Sequence, residues 1–423
     1  MNSKQTICLL NDSFPPQIDG VANAVLNYAE EIEKSGSHAM VVTPSYPDSK
    51  DEIYTYPIVR YPSVNFKKMD AYRAGFPFSP RVADAVQKNN VALLHSHCPI
   101  VSTFMARELR QVIKVPIILT YHSKFDLDIQ NIIKDERLQA KCKKALVENI
   151  NACDEVWVVS NGAGENLRSL GYKGDYIVMP NGVDFARGRA SEEKIATVTG
   201  TYDLPFNVPV YLFVGRMMWY KGIRIILDSL VKLSGQNKDF RMVFVGDGDD
   251  KHEIEQYALQ LGLTDKCIFT GAIHDREVLR AWYCRANLFL FPSTYDTNGL
   301  VVREAAACDL ASVLIKNSCA AEGVTDGRNG FLIDETADAL YSCLLTLYER
   351  YDKILSVGKC AGEELYISWE SSVKKAMERY KIVCNTYQSK SSVRRRIKGE
   401  SFFKLNGNLM KALASLSGKR KDD

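Results

Sequence analysis

The stretch PSTYDTNGLVVRE, Pro292 to Glu304, follows directly on the apolar run NLFLF, Asn287 to Phe291. The run reads as a buried strand, and Asn298-Gly299 opens a helical pattern that carries Glu304. A strand feeding a helix that starts at glycine sets backbone N–H groups at the carboxyl edge of a sheet, where phosphate binds readily. Asp296 and Glu304, with seven residues between them, stand beside that anion site. Carboxylates suit hydroxyl groups better than phosphate. The stretch therefore asks for a ligand carrying both, as a nucleotide sugar does.

The chain around this stretch alternates. VYLFVG, FRMVFVG, KCIFTG, NLFLFPS and ASVLI read as strands, each followed by a helix or a turn. An earlier series, QTICLL, AMVVTP, VALLHSH, VPIILTYH and CDEVWVVS, ends with YIVMPNGVD. Between its first two strands the spacing predicts a helix over Val21–Lys34, with Val21, Val25, Ala29 and Ile32 on one face and Gly36 past its end. Short apolar strands separated by helices predict parallel sheets covered on both faces. Residues 185–207 lose the pattern and read as a connection. The expected fold is α/β, with two Rossmann-like domains facing a central cleft at their strand ends. The expected parts are 1–190, 191–368, a helix over 369–389 returning to the first domain, and a basic tail over 390–423.

Composition bounds the class. The 423 residues are 46% hydrophobic and 25% charged, as in an ordinary globular protein of two or more domains. No apolar run is long enough to cross a membrane, and the start, MNSKQTICLLND, reads as a strand rather than a signal peptide. The 11 cysteines form no C-x-x-C pair. Several, such as Cys8, Cys267 and Cys308, lie in apolar patterns and read as reduced core residues of a cytoplasmic protein. The net charge of +3 is uneven: ten basic and three acidic residues lie from Lys390 on, leaving 44 basic against 48 acidic elsewhere. A slightly acidic body argues against nucleic acid as a partner.

Other short motifs sit at predicted strand ends. Asn11 to Gly20, NDSFPPQIDG, joins the first strand to the first helix, and Gly20 at that helix start suits close approach of a phosphate or an ordinary loop. His122, in TYHSKFD, ends a strand; it is either cleft-facing or a satisfied structural histidine. His95 and His97 end another strand. Their type suits a metal, but no third ligand is evident, so a structural or acceptor-side role is favoured. Phe213-Val214-Gly215-Arg216 brings Arg216 out at a strand end, and Lys221-Gly222 starts the next helix. Gly246-Asp247-Gly248 and Gly271-Ala272-Ile273 follow two further strands. The string DGDD, Asp247 to Asp250, contains D-x-D but reads as a helix start rather than a metal site.

Pro292 to Glu304, in this order with the other motifs, resembles the acidic-x-seven-Glu signature of the retaining GT-B glycosyltransferases of family four. The likeness covers about residues 5 to 385. The family usually has Glu first and often an aromatic before the glycine, where this chain has Asp296 and Asn298. The resemblance implies that Arg216 and Lys221 bind the donor diphosphate and that Glu304 holds the ribose. Asp296 would hold a sugar hydroxyl, and His122 would lie near the reacting centre. Backbone at Asn298, Gly299, Leu300 and Gly20 would meet sugar or diphosphate, with Gly215 and Gly246 beside it, and Gly271 to Ile273 would meet the base. Asn181-Gly182-Val183-Asp184 matches a family turn at the domain junction. No metal and no cofactor is implied.

Asp296-Thr297-Asn298-Gly299 also resembles the Glu-Thr-Gln-Gly form found in bacterial diacylglycerol glucosyltransferases, and TYHSKFD is similar to their histidine segment. That likeness implies a UDP-sugar donor and a membrane lipid acceptor. The tail agrees: Phe402, Leu405, Leu409, Leu413 and Leu416 recur at helical spacing among lysines, after Arg394-Arg395-Arg396. Such a segment suits an anionic membrane surface at the inner face, a disordered solvated tail, or a helix packed on the body. The loop Phe66 to Pro80, FKKMDAYRAGFPFSP, is a second aromatic and basic segment, either exposed or packed against the cleft wall. A soluble or polysaccharide acceptor, a nucleotide-sugar epimerase and a non-catalytic binding protein are the alternatives.

Overall fold

The computed structural model describes residues 5–17, 19–65, 73–205, 207–389, 403 and 406. The chain forms two compact units, one of Met1–Asn181 with Trp369–Asp423 and one of Gly182–Ser368.

The strands of the first unit are β1 Thr6–Leu10, β2 His38–Pro44, β3 Ile58–Tyr61, β4 Ser63–Asn65, β5 Arg73–Gly75, β6 Val91–Ser96, β7 Ile117–Tyr121, β8 Glu155–Val158 and β9 Ile177–Val178. Seven of them form one sheet in the order β3-β2-β1-β6-β7-β8-β9, and β4 and β5 form a separate hairpin. The pairing within the large sheet is parallel. Successive side chains of a strand point to opposite faces, so each strand must be apolar throughout. Ile7 and Leu9 accordingly pack with Val25, Tyr28 and Ala29 on one face, while Cys8 and Leu10 pack with Met105, Ala106 and Leu109 on the other.

The first helix begins one residue earlier than expected, at Gly20, and ends at Lys34. Its buried residues include Ala22, Ala24, Val25, Tyr28, Ala29 and Ile32, whereas Val21 is only half-buried. Asp19 explains the start. Its carboxylate caps the helix by accepting from the N–H groups of Val21 and Ala22, both at 2.7 Å.

The helix Trp369–Ser389 belongs to this first unit. Tyr380 is fully buried, stacks on Trp157 at 5.4 Å and meets His95 Nδ1 at 2.6 Å. Arg379 grips Glu155 through Nε and Nη2 at 2.8 and 2.5 Å. Ser372 donates to the Pro180 carbonyl at 2.6 Å.

The basic tail lies outside the described residues except for two positions. Phe403 is buried, with its ring under the Arg107 guanidinium at 3.9 Å and against Phe104 at 4.8 Å. Asn406 Nδ2 donates to Glu108 Oε1 at 3.1 Å. All three partners lie on the helix Val101–Ile113. Phe403 is thus an apolar anchor that the spacing of Phe402 and the leucines does not pick out.

Burial pushes the Glu108 carboxyl up from 4.5 to about 7, with the Asn406 bond opposing the shift. The folded state therefore favours the neutral acid. The stability this supplies is complete below 4.5 and is lost as pH rises to about 7. Glu108→Gln is expected to flatten that fall and to raise Tm above wild type at pH values past 7 by roughly a few degrees. Calorimetric scans across the window check it, and parallel curves for the two proteins would refute it.

The second unit contains β10 Val210–Val214, β11 Arg241–Val245, β12 Cys267–Gly271, β13 Leu288–Phe291, β14 Ser312–Ile315 and β15 Phe331–Ile333. They form a parallel sheet in the order β12-β11-β10-β13-β14-β15. Counted within the unit, this is the doubly wound order 3-2-1-4-5-6. The order in which strands are added switches side between β10 and β13, which pair in parallel through Tyr211 with Leu288 and Leu212 with Phe289.

The stretch 185–207, expected as a connection, instead belongs to this unit and contains a helix, Glu192–Thr199, capped by Ser191. Phe185 and Ile195 are buried in the same apolar core as β10 and β13. That burial moves the end of the first unit to Asn181 rather than residue 190. Strands Ile58–Tyr61 and Phe331–Ile333 are further additions. The cysteines Cys8, Cys267 and Cys308 are buried core residues.

Candidate functional site

Ligands of doubly wound sheets bind at the carboxyl ends of the strands flanking the reversal. In the second unit these ends are Gly215 after β10 and Pro292 after β13. Arg216 follows Gly215 and is exposed. Lys221 lies in the single turn Trp219–Lys221, just ahead of the helix Ile223–Gly235 rather than within it. Its side chain is buried and its Nζ meets Asp296 Oδ1 at 2.6 Å. Ser293 donates to the other oxygen, Asp296 Oδ2, at 2.6 Å. The rings of Tyr220, Phe291 and Tyr295 surround Lys221 Nζ at 5.6, 5.9 and 5.7 Å. One cation is therefore fixed against one carboxylate, while a second cation beside it is open to solvent.

Two glycines make this geometry possible. Gly222 has φ +78 and a Cβ there would lie 2.1 Å from the Pro292 carbonyl oxygen, so the two loops touch backbone to backbone. Gly299 has φ +55 and precedes the helix Leu300–Ala307, which no side chain caps. By contrast, the helix at Gly20 in the first unit already holds the Asp19 carboxylate at its N-terminus. Asn298 is buried, and neither its Nδ2 nor its Oδ1 has a partner among the described residues. It borders a cavity of about 10 Å³ with Arg303, Ala320 and Glu322, roughly the space of one water.

Glu304 is also buried, and its carboxylate is held on both sides. Oε1 accepts from Arg276 Nη2 at 2.5 Å and Oε2 accepts from the Tyr283 hydroxyl at 2.8 Å. Arg276 in turn grips Asp184 at 2.8 and 2.6 Å. Burial opposes the Arg276 charge, but the Glu304 and Asp184 carboxylates outweigh it and hold the guanidinium above its usual range. Burial and the Glu304 carboxylate push the Tyr283 phenol well up, so it remains an O–H donor. Ser293, Arg276 and Tyr283 are absent from the sequence-based set, and Asp184 figures there only as a turn residue. Gly246 N–H donates to the Gly271 carbonyl at 2.9 Å, tying the ends of β11 and β12 together. Ile273 packs half-buried on the core. Asp247 to Asp250 precede the helix Lys251–Gln260, and Asp250 accepts from the Trp219 N–H at 2.8 Å.

The first unit carries a separate histidine cluster at the ends of β6 and β7. His97 Nδ1 and His122 Nε2 are 3.0 Å apart and the rings stack at 5.2 Å. His95 uses both nitrogens, Nδ1 with Tyr380 and Nε2 with Thr120 at 2.7 Å, which leaves it no lone pair for a metal. Burial pushes His122 down from 6.5 to about 3, so it is neutral at physiological pH. Asp12, at the reversal between β1 and β6, caps the helix Val101–Ile113 by accepting from the N–H groups of Val101 and Ser102 at 3.1 and 2.8 Å.

Two doubly wound units, one ending in a cation–carboxylate site beside an uncapped helix, define a nucleotide-binding α/β protein. Residues 18–187 match Glycosyltransferase Family 4, and residues 202–354 match Glycosyl transferases group 1. The chain belongs to these GT-B glycosyltransferases of group 1, enzymes that use a nucleotide-sugar donor. It is 27% identical over 338 residues to a GDP-mannose-dependent alpha-mannosyltransferase of Corynebacterium glutamicum, covering 78% of this chain and 76% of that one. It is 24% identical over 396 residues to an alpha-monoglucosyldiacylglycerol synthase of Streptococcus pneumoniae, covering 90% and 87%. Among solved structures, Anabaena Alr3699/HepE in complex with UDP and glucose superposes with a TM-score of 0.70 at 19% identity, covering 89% of this chain and 99% of that one.

Proposed function

We propose that this chain is a retaining, metal-independent hexosyltransferase that moves a hexose from a nucleotide sugar, a UDP-sugar being favoured, to a membrane lipid such as diacylglycerol. The observation that carries the donor half is the Lys221–Asp296 contact at 2.6 Å, beside exposed Arg216 at the reversal of the second sheet. Arg216 and Lys221 neutralise the charge that develops on the departing diphosphate. Asp296, oriented by Lys221 and Ser293, receives a sugar hydroxyl, and Glu304 receives the ribose. The N–H groups after Gly299 meet sugar or phosphate. Neutral His122 contributes hydrogen bonding rather than charge.

Both carboxylates are held by neighbouring donors, which suits orienting acceptors better than nucleophiles. The course is then a front-face exchange: the bond from the anomeric carbon to phosphate breaks, the acceptor oxygen bonds on the same face, and the leaving phosphate takes the acceptor's proton. Positioning and electrostatics supply the rate.

A lipid acceptor is supported by likeness to diacylglycerol glucosyltransferases and by exposed apolar groups on the first unit. Val64, in β4, and Phe76, just past β5, are 47% and 52% exposed. The segment between them, 66–72, lies outside the described residues. Among the described residues no helix is long and apolar enough to cross a membrane. Attachment to the inner face would therefore be peripheral, helped by the basic tail 390–423. The mannosyltransferase relative favours a second donor reading, GDP-mannose.

The test incubates the purified protein with UDP-glucose, UDP-galactose or GDP-mannose, with and without anionic diacylglycerol vesicles. Released nucleotide and glycolipid mass are measured. The expected result is nucleotide release from a UDP-sugar together with a glycosylated diacylglycerol. Turnover to a soluble product with no lipid product would refute the lipid acceptor, and turnover of GDP-mannose alone would replace the donor.

A further inference from the structure

We propose that Arg276 and Tyr283 are positioning residues for the donor: they orient the Glu304 carboxylate so that one acceptor site on each oxygen is left for the two ribose hydroxyls. The inference rests on the reading of Glu304 as the ribose ligand and adds the residues that make it selective. An ionised carboxylate has about four lone-pair sites, two on each oxygen. Arg276 Nη2 uses one on Oε1, at 2.5 Å, and the Tyr283 hydroxyl uses one on Oε2, at 2.8 Å. One site per oxygen remains, and the Glu304 side chain keeps 12% of its surface open. A vicinal diol presents two O–H donors side by side and matches that pair of sites.

The two donors are themselves fixed. Arg276 is anchored by the bidentate contact with Asp184 and lies over the Phe185 ring at 4.4 Å. Tyr283 is fully buried, with Phe185 and Phe289 at ring distances of 5.8 and 5.6 Å. Both donors thus come from the helix Arg276–Arg285 to a carboxylate on the helix Leu300–Ala307, and the turn at Asp184 fixes one of them, Arg276. A glutamate free to rotate would meet one hydroxyl as well as two. A carboxylate clamped on both oxygens discriminates between a diol and a single hydroxyl.

Discrimination is therefore the readout. Steady-state kinetics compare the nucleotide sugar that wild type turns over with its 2′-deoxyribose counterpart; for UDP-glucose this is 2′-deoxyuridine diphosphate glucose. Wild type is expected to favour the ribose donor by roughly 10–100-fold in kcat/KM, because a buried acceptor left unpaired is costly. Glu304→Ala is expected to bring the ratio near one. Tyr283→Phe and Arg276→Gln are expected to shrink it several-fold, mainly through KM, and Arg276→Lys to restore part of it. If Glu304→Ala abolishes the preference while Tyr283→Phe and Arg276→Gln keep it, the two residues are merely structural and the proposal falls. If Glu304→Ala itself keeps the preference, the ribose reading falls, and the proposal with it. Tyr283→Phe removes a single hydroxyl, so the test survives even if an Arg276 variant does not fold.

Discussion

Lys221→Met is expected to lower kcat by about 10²–10³-fold, the usual cost of removing one preorganised group that meets developing charge. Lys221 is 6% exposed and its Nζ contacts Asp296 at 2.6 Å, so the substitution removes a cation that is already in place before substrate arrives. It also leaves the Asp296 carboxylate with only the Ser293 hydroxyl as a neighbouring donor from this pair of contacts. Breaking a fully buried pair destabilises by about 3–5 kcal/mol when one charge is left behind, and the partial exposure of Asp296 brings the loss here below that range. The two losses separate in the double variant. Adding Asp296→Asn removes the orphaned charge, so Tm should recover much of its fall while kcat stays low. Recovery of kcat along with Tm would mean that Lys221 matters for folding alone, and the charge-stabilising role would be lost.

Much of this site is visible from residue order because it is local. Pro292 to Glu304 is one strand end and one helix start, and both the glycine-led helix and the adjacent acid follow from that. Contacts made across many residues are a different matter. Lys221 and Asp296 are 75 residues apart, and nothing in their spacing says that a lysine read as a phosphate ligand and an aspartate read as a sugar ligand touch each other. Tyr283 sits in REVLRAWYCR, where its period is that of a core residue, and only the register of two helices turns its hydroxyl toward Glu304.

Asp19 gives the start of the first helix a chemistry that the reading of Gly20 leaves out. Asp before the first helical residue is a capping pattern, and its carboxylate occupies the N–H groups of Val21 and Ala22 where the glycine suggests phosphate. Similarly, the helical stripe in the tail selects Phe402 and four leucines and passes over Phe403, which is buried. Its partner is the Arg107 guanidinium on another helix, which no periodicity within the tail can reveal.

Gly222→Ala is expected to cost about 3–5 kcal/mol, combining left-handed backbone strain with overpacking. The glycine has φ +78, and its Cβ would stand 2.1 Å from the Pro292 oxygen, 2.8 Å from the Pro292 carbonyl carbon and 3.0 Å from Pro292 Cγ. None of these atoms is the end of a flexible side chain, so relief requires moving backbone. Either the turn carrying Lys221 or the strand end leading to Asp296 must shift. The damage therefore reaches stability and the site through the same contact. Tm of the second unit should fall by roughly 10 °C, and donor KM should rise in whatever folded protein remains at low temperature. Gly235→Ala is the matched control. It lies at the end of the same helix, with nothing within 4 Å of its Cβ, and should be neutral or stabilising by up to about 1 kcal/mol. Thermal scans of the two variants side by side decide the matter. Equal Tm values would show that the close approach of Gly222 to Pro292 is not what joins the two halves of the site.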